Sequence, residues 1–302
     1  MYDVIIIGAG PAGMTAAVYA ARKKMRALLI TEEFGGQVMG TLGVENYMGY
    51  QYITGPELME KFREQVLKYE LDQEEGRVVQ LEKDGDNFIV RTASKSFNGR
   101  TVIVASGKHS RKLDALGEER LNGRGVSYCA TCDGPLFEGL DVAIVGGGNS
   151  GVQAALEMSV IAKQVYLVTR SKYRADEVLL EKMAQANNIR EYIGYDTVEI
   201  KGEKLVQAIV LKDRQTRELT ELNVKGVFVE IGLVPNTSFL EGFVELNERK
   251  EIIVDCQCRT NVPGLLAAGD VTIVPEKQIV IAAGEGAKAT LEAYVYLLRK
   301  KQ

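Results

Sequence analysis

Cys129-Ala130-Thr131-Cys132 is the pair of side chains in this sequence best suited to chemistry. Two intervening residues let the sulfurs close a short-loop disulfide, and a thiol at CxxC spacing readily has a depressed pKa, so it attacks as thiolate near neutral pH. Asp133 follows directly, placed to protonate a departing thiolate. Zinc binding is the competing reading of the pair. It needs a second pair, whereas Cys256 and Cys258 have one residue between them and are expected in or near a strand, so no metal is expected. His109 is the only histidine; its neighbours Lys108, Ser110 and Arg111 mark it as a surface residue without a general-base role.

Two glycine turns carry the other chemical signal. Gly8-Ala9-Gly10-Pro11-Ala12-Gly13 is a GxGxxG in which Gly8 permits the turn, Gly10 admits a pyrophosphate to the backbone and Gly13 lets helix and strand pack closely. Glu32 lies where a carboxylate accepts hydrogen bonds from an adenosine ribose. The alternative is a tight structural turn. Gly146-Gly147-Gly148-Asn149-Ser150-Gly151 repeats the spacing, but the strand after it ends in Arg170 and Arg174 with no carboxylate. Arginine forks there suit a 2′-phosphate and favour NADPH over NADH; the bland alternative is a solvated basic loop.

The elements that must position these groups are legible around them. Residues 3–7 read as a buried strand, 12–22 as a helix of small residues and 27–30 as a second apolar strand, one βαβ unit. The unit returns with a strand at 141–145, a helix at 152–161 and a strand at 164–169. A helix at 56–68, strands at 77–83, 87–92 and 101–105, alternating strands over 197–213 and 218–229, a short strand at 264–268 and a last helix from 286 to 299 complete the expectation. The fold class is α/β, with two Rossmann-like dinucleotide-binding domains and no low-complexity linker between them.

Composition narrows the function classes. At 302 residues, with 46% hydrophobic and 26% charged residues, the chain has the length and makeup for two α/β domains. A net charge of −4 and the absence of any Lys/Arg run argue against nucleic acid. Gly8, Gly10, Pro11 and Gly13 break the longest apolar run, so no membrane span is expected, and the N-terminus lacks a signal peptide's basic leader, so a cytoplasmic location is expected.

Together these residues resemble thioredoxin reductase of the low-molecular-weight type over essentially the whole chain. Further matching stretches are Gly35-Gly36-Gln37, Glu45-Asn46, Ala105-Ser106-Gly107, Thr260-Asn261-Val262-Pro263-Gly264, Ala268-Gly269-Asp270 and Lys277-Gln278-Ile279. The resemblance implies FAD, with Asp270 on the ribitol, residues 277–279 along the isoalloxazine edge and Gly36, Gln37, Asn46, Gly107 and Gly269 on the flavin side. It implies a nicotinamide nucleotide domain (114–246) inserted into an FAD domain (1–113 and 247–302), a homodimer, and a rotation that brings either the nicotinamide or the cysteines to the flavin. Electrons would pass from NAD(P)H to thioredoxin or a thioredoxin-like protein, with Cys129 attacking the partner and Cys132 facing the flavin.

Thr169 and Ser171 depart from the His-Arg-Arg of that family, and residues 134–137, 146–151 and 229–240 are similar instead to the flavoprotein component of alkyl hydroperoxide reductase, usually NADH-linked. Because the chain starts at the first strand, the tethered disulfide module of that relative is expected to be missing and the acceptor to be a separate protein. The alternatives are therefore an NADH-linked reductase of a peroxiredoxin system working through a separate carrier, a relative drawing on ferredoxin, or an FAD-binding redox sensor without turnover.

Overall fold

The computed structural model describes residues 1–41 and 43–300. In chain order its elements are β1 (Tyr2–Ala9), α1 (Pro11–Arg22), β2 (Ala27–Phe34), α2 (Gly55–Leu67), β3 (Asp72–Glu75), β4 (Val78–Asp84), β5 (Asn87–Thr92), β6 (Ser96–Val104) and β7 (Lys108–Ser110). Then come α3 (Glu118–Leu121), β8 (Val126–Ser127), α4 (Ala130–Asp133), β9 (Asp141–Val145), α5 (Asn149–Ile161), β10 (Gln164–Thr169), α6 (Glu177–Met183), β11 (Ile189–Ile193) and β12 (Tyr195–Lys201). The rest are β13 (Ala208–Asp213), β14 (Leu219–Asn223), β15 (Gly226–Val229), β16 (Leu233–Pro235), β17 (Leu265–Ala267) and α7 (Ile279–Arg299).

The first sheet runs β3-β2-β1-β6-β5-β4, with β17 paired to β6. Its parallel part registers Ile5 against Leu28 on one side and Val102 on the other. Val4 to Ile7 are buried on both faces, which is why that strand reads as a continuous apolar run rather than an alternation. On one face lie α1 and α7, joined through alanines such as Ala16, Ala289 and Ala293. The other face packs on Leu240, Val244 and Ile252.

The second sheet, β11-β10-β9-β15-β8, is parallel throughout. Helix α5 covers one face through Val152, Ala155 and Met158. The antiparallel β12-β13-β14 sheet covers the other through Ile200, Ile209 and Leu211.

The chain passes between the sheets along β7 and returns along β16. These two strands pair antiparallel, His109 opposite Val234. Beside them the Asn236 side chain donates to the Ser106 carbonyl at 2.7 Å, and its Oδ1 meets His109 Nδ1 at 2.7 Å. Lys108 lies buried against Glu251, so the linker is anchored by a charge and not only by its ladder. His109 is exposed, as its polar neighbours suggest, but Lys108 is not.

Several elements differ from the sequence expectation. Helix α7 begins at Ile279 rather than near 286, because Gly284 and Gly286 sit inside the helix. Gly286 is there for contact: a Cβ on it would lie 2.0 Å from the Ala12 carbonyl oxygen. Cys256 occupies an exposed turn, and Cys258 is buried just after it, its thiol pushed up to about 12 chiefly by burial. Helix α2 starts on a capping box in which Thr54 Oγ1 accepts from the Glu57 amide and Glu57 accepts from the Thr54 amide. Among the described residues no helix is long and apolar enough to cross a membrane.

Gly286→Ala should destabilise the protein by about 2–4 kcal/mol, since the added methyl meets backbone and not a movable side chain. Gly284→Ala, whose methyl meets nothing within 4 Å, should be neutral or stabilising by up to about 1 kcal/mol. Thermal melts of the two variants followed by far-ultraviolet circular dichroism test the contrast.

Candidate functional site

The first glycine turn has its shape because helix and strand touch. Gly8 adopts φ +100°, and a Cβ on Gly13 would sit 1.8 Å from the Gly8 carbonyl oxygen, so only glycine permits α1 to start so close to β1. The second turn repeats the device: a Cβ on Gly151 would lie 2.3 Å from the Gly146 carbonyl oxygen. A Cβ on Gly10 or Gly148 would meet nothing within 4 Å, leaving both turns open to a ligand.

A cavity of about 1600 Å³ runs from the first glycine turn to the cysteines. That exceeds the roughly 300–1,000 Å³ of an ordinary small-molecule site and suits an extended dinucleotide. Gly8, Gly10, Pro11, Ala12 and Glu32 line one end. Gly36, Gln37, Asn46, Gly107, Gly269 and Asp270 line its middle with Lys277, Gln278 and Ile279. Cys129, Cys132 and Asp133 line the other end. Gly13 lies beneath the cavity rather than on its wall.

Residues far apart in sequence meet across this cavity. Gln37 Nε2 donates to Asp270 Oδ2 at 3.4 Å, and Asn46 Nδ2 to Gln278 Oε1 at 3.1 Å. Burial raises the Asp270 carboxyl, against the charges of Lys277 and Lys108. Lys277 is lowered, first by burial and then by Lys108, and donates to the Thr272 carbonyl at 2.6 Å. Glu251 is opposed by its burial yet held below the usual carboxylate range by hydrogen bonds from Lys108 and Asn247. Glu285 reaches from α7 to accept the Gly269 amide at 2.7 Å, which fixes the turn that presents Asp270.

Cys129 and Cys132 form a disulfide with Cα atoms 5.3 Å apart, both half-buried. The Cys132 amide points at Cys129 Sγ at 3.2 Å. Asp133 is buried and accepts from Ser127 Oγ at 2.5 Å, and the same hydroxyl receives the Cys129 amide at 3.1 Å. Ser127 thus ties the acid to the backbone of the first cysteine.

Gly146, Gly148, Asn149, Ser150, Gly151, Arg170 and Arg174 of the second fingerprint are not on the wall of this cavity. Asn149 Nδ2 donates to Asp176 Oδ2 at 2.9 Å, and Asn149 Oδ1 accepts the Asp176 amide at 2.9 Å. Arg170 donates from Nε to Asp196 Oδ1 at 2.8 Å, and Arg214 approaches the same carboxylate at 3.6 Å. Arg174 is exposed, with its amide on the Gly147 carbonyl at 2.8 Å.

Two residues of this region escape sequence reasoning. Asp196 comes from β12, outside the βαβ unit that carries Arg170, so the carboxylate that meets this arginine comes from a different sheet. Glu230 follows an apolar strand without any motif, yet lines the cavity and accepts the Ala130 amide at 3.4 Å. Burial, with a smaller push from Glu157, raises its carboxyl to about 7 against the opposing effect of the Ala130 hydrogen bond. Among the described residues no group of three or more His, Cys, Asp or Glu is placed to hold a metal ion.

The pyridine nucleotide-disulphide oxidoreductase family matches residues 2–286. An alkyl hydroperoxide reductase subunit from Pseudomonas putida is 47% identical over 305 residues, covering 99% of this chain and 58% of that protein. The chain thus spans little more than half the length of that relative. The crystal structure of thioredoxin reductase from Streptococcus pyogenes MGAS5005 superposes with a TM-score of 0.95 at 38% identity, covering 99% of both chains. Lactococcus lactis thioredoxin reductase, solved in the FR conformation, gives 0.68 at 39% identity, with 99% of this chain and 100% of that one covered.

Because Glu230 takes up its proton more readily folded than unfolded, it should cost stability as pH rises from about 4.5 to about 7, where the unfolded chain has released the proton and the folded chain has not. The loss should total up to about 3 kcal/mol and then level off. Urea denaturation across that range should show a steeper loss in wild type than in Glu230→Gln, which keeps only the part due to other raised carboxyls such as Asp270.

Proposed function

The chain belongs to the pyridine nucleotide-disulphide oxidoreductase family, and on that premise we propose that it is a flavin-dependent disulfide reductase, drawing electrons from a nicotinamide nucleotide and delivering them through Cys129 and Cys132 to a thioredoxin-like protein. The observation that carries this reading is the Cys129–Cys132 disulfide at one end of a cavity whose other end is an open glycine turn.

The residues fit FAD. Gly10 leaves room for a pyrophosphate, Glu32 sits at the ribose end, and Asp270 with Gln37 provides acceptor and donor in the middle. Bound there, FAD would supply a two-electron carrier between nucleotide and disulfide. The protein's own part is to hold the disulfide at the cavity and to keep Asp133 beside the first cysteine through Ser127. After reduction Cys129 attacks the partner disulfide, Cys132 resolves the mixed disulfide, and Asp133 supplies the proton to the leaving thiolate. A dithiol of this type works near the potential of thioredoxin, about −270 mV.

The second fingerprint does not line the cavity, which supports a reading in which the nucleotide and the cysteines take turns at it. Two thioredoxin reductases of nearly equal identity that superpose with TM-scores of 0.95 and 0.68 support such a change in how the two parts are set. The β7–β16 pair is the place for it. For the donor we favour NADH: Arg170, expected from sequence to read a 2′-phosphate, is paired with Asp196, a carboxylate that suits an unmodified ribose. The 47% identity to an alkyl hydroperoxide reductase subunit supports a second reading of the acceptor, a carrier serving a peroxiredoxin.

Anaerobic titration of the FAD-loaded protein with NADH and with NADPH, read by flavin absorbance, tests the donor. Faster bleaching by NADH supports the preference, faster bleaching by NADPH reverses it, and bleaching by neither removes the nicotinamide donor altogether. Asp196→Asn should raise the NADPH to NADH rate ratio about tenfold by freeing Arg170. Cys129→Ser and Cys132→Ser should each abolish reduction of a thioredoxin-like disulfide while leaving nucleotide bleaching intact; persistence of disulfide reduction would sink the assignment of the pair.

A further inference from the structure

Glu230 stands where the two halves of the chemistry touch. It directly follows β15 in the second sheet, with its amide on the Val145 carbonyl at 2.8 Å. A Cβ on Gly146, the first glycine of the second fingerprint, would fall 2.2 Å from the Glu230 carbonyl oxygen. The backbone of Glu230 is therefore fixed against the nucleotide turn, while its side chain reaches the cysteine turn and accepts the Ala130 amide at 3.4 Å.

The one charge that acts on its carboxyl is another acid. Glu157 faces it from α5, itself bound to Thr131 Oγ1 at 3.0 Å and Gln153 at 3.2 Å. The cysteine turn contributes Asp133, whose carboxylate accepts from Ser127, together with Cys129 and Cys132. From the end of β8 comes Tyr128, which donates to Glu118 at 2.8 Å. Among the described residues no Lys, Arg or His forms an ion pair with Glu230. A carboxylate buried beside other acids and met by one long amide contact has little to offset its lost hydration.

We propose that Glu230 is a positioning residue for the cysteine pair, its carboxyl and the nucleophilic thiol sharing one negative charge across the Ala130 amide, so that thiolate forms only as Glu230 stays or becomes neutral. Reduction breaks the S–S bond. With dithiothreitol as reductant, two electrons and two protons leave the reagent, which closes to its cyclic disulfide, and the same electrons and protons convert the pair to two thiols. Ionisation of one thiol then releases a proton, and Glu230 is the adjacent base that takes it; two anions on either side of one amide repel, so their titrations are coupled. A carboxyl that rises to about 7 is matched to that exchange.

This inference rests on Cys129–Cys132 being the working disulfide, but its test does not require turnover. The FAD-loaded protein is reduced with dithiothreitol, freed of reagent anaerobically, and alkylated with iodoacetamide from pH 5 to pH 9, a span of roughly two units either side of the carboxyl. Peptide mass spectrometry reports modification at Cys129 and Cys132 separately from exposed Cys256. In wild type the rate should climb in two steps. In Glu230→Gln, which keeps the acceptor for Ala130 and removes the charge, it should climb in one step with its half-point lower by about one pH unit, close to a tenfold faster reaction on the acid side. Glu230→Ala removes the charge without the acceptor and should shift in the same direction, so either variant suffices if the other folds poorly. A one-step wild-type profile, or variant profiles that superpose on wild type or move to higher pH, overturns the proposal. Failure of Cys129→Ser to impair disulfide turnover would instead sink the reading of the pair itself.

Discussion

Backbone touching backbone without side chains between is the constraint on which the rest depends. Gly13 against Gly8, Gly286 against Ala12 and Gly151 against Gly146 leave no space for a methyl group. Close approach brings α1 and α7 onto the first sheet, and the alanine seam between them fills what remains. The turn after β1 is thereby left open at Gly10, where an added Cβ would meet nothing within 4 Å.

The polar part of the site is built by long-range pairing on that frame. Gln37 with Asp270 and Asn46 with Gln278 connect the first glycine-rich segment to the last, across more than 230 residues of sequence. Each such contact needs α7 to be seated correctly, because Gln278 is the residue just before it and Glu285 within it holds the Gly269 amide. Cavity and helix packing are therefore not separable properties of this chain.

Periodicity makes the parallel strands and the two glycine turns legible, since a doubly buried strand is an unbroken apolar run and the turns have a fixed spacing. The cysteine disulfide is legible from its spacing together with the lack of a second pair at metal-ligand spacing. What sequence does not show is anything depending on register between distant elements. Asp196 reaches Arg170 only because β12, a strand of the three-stranded sheet, packs against β10, and Glu230 reaches Ala130 only because β15 lies next to both β9 and β8. The sequence expectation starts α7 too late because its glycines read as a stop when they are a contact surface. Lys108 reads as one more polar residue beside His109, but pairing with Glu251 lets it lie inside.

The β7–β16 ribbon has a mechanical consequence of its own. A ribbon of only two strands carries a larger twist between neighbours than a wide sheet does, and here it is short and crossed by side chains. Lys108 clamps one end of the ribbon to Glu251, and Asn236 stitches the strands together at that same end through Ser106 and His109. The crossing between the two sheets is therefore held at that end by a buried ion pair, a side-chain stitch and a ladder together, so a pull on it is carried into the first sheet at Glu251 and not by the ladder alone.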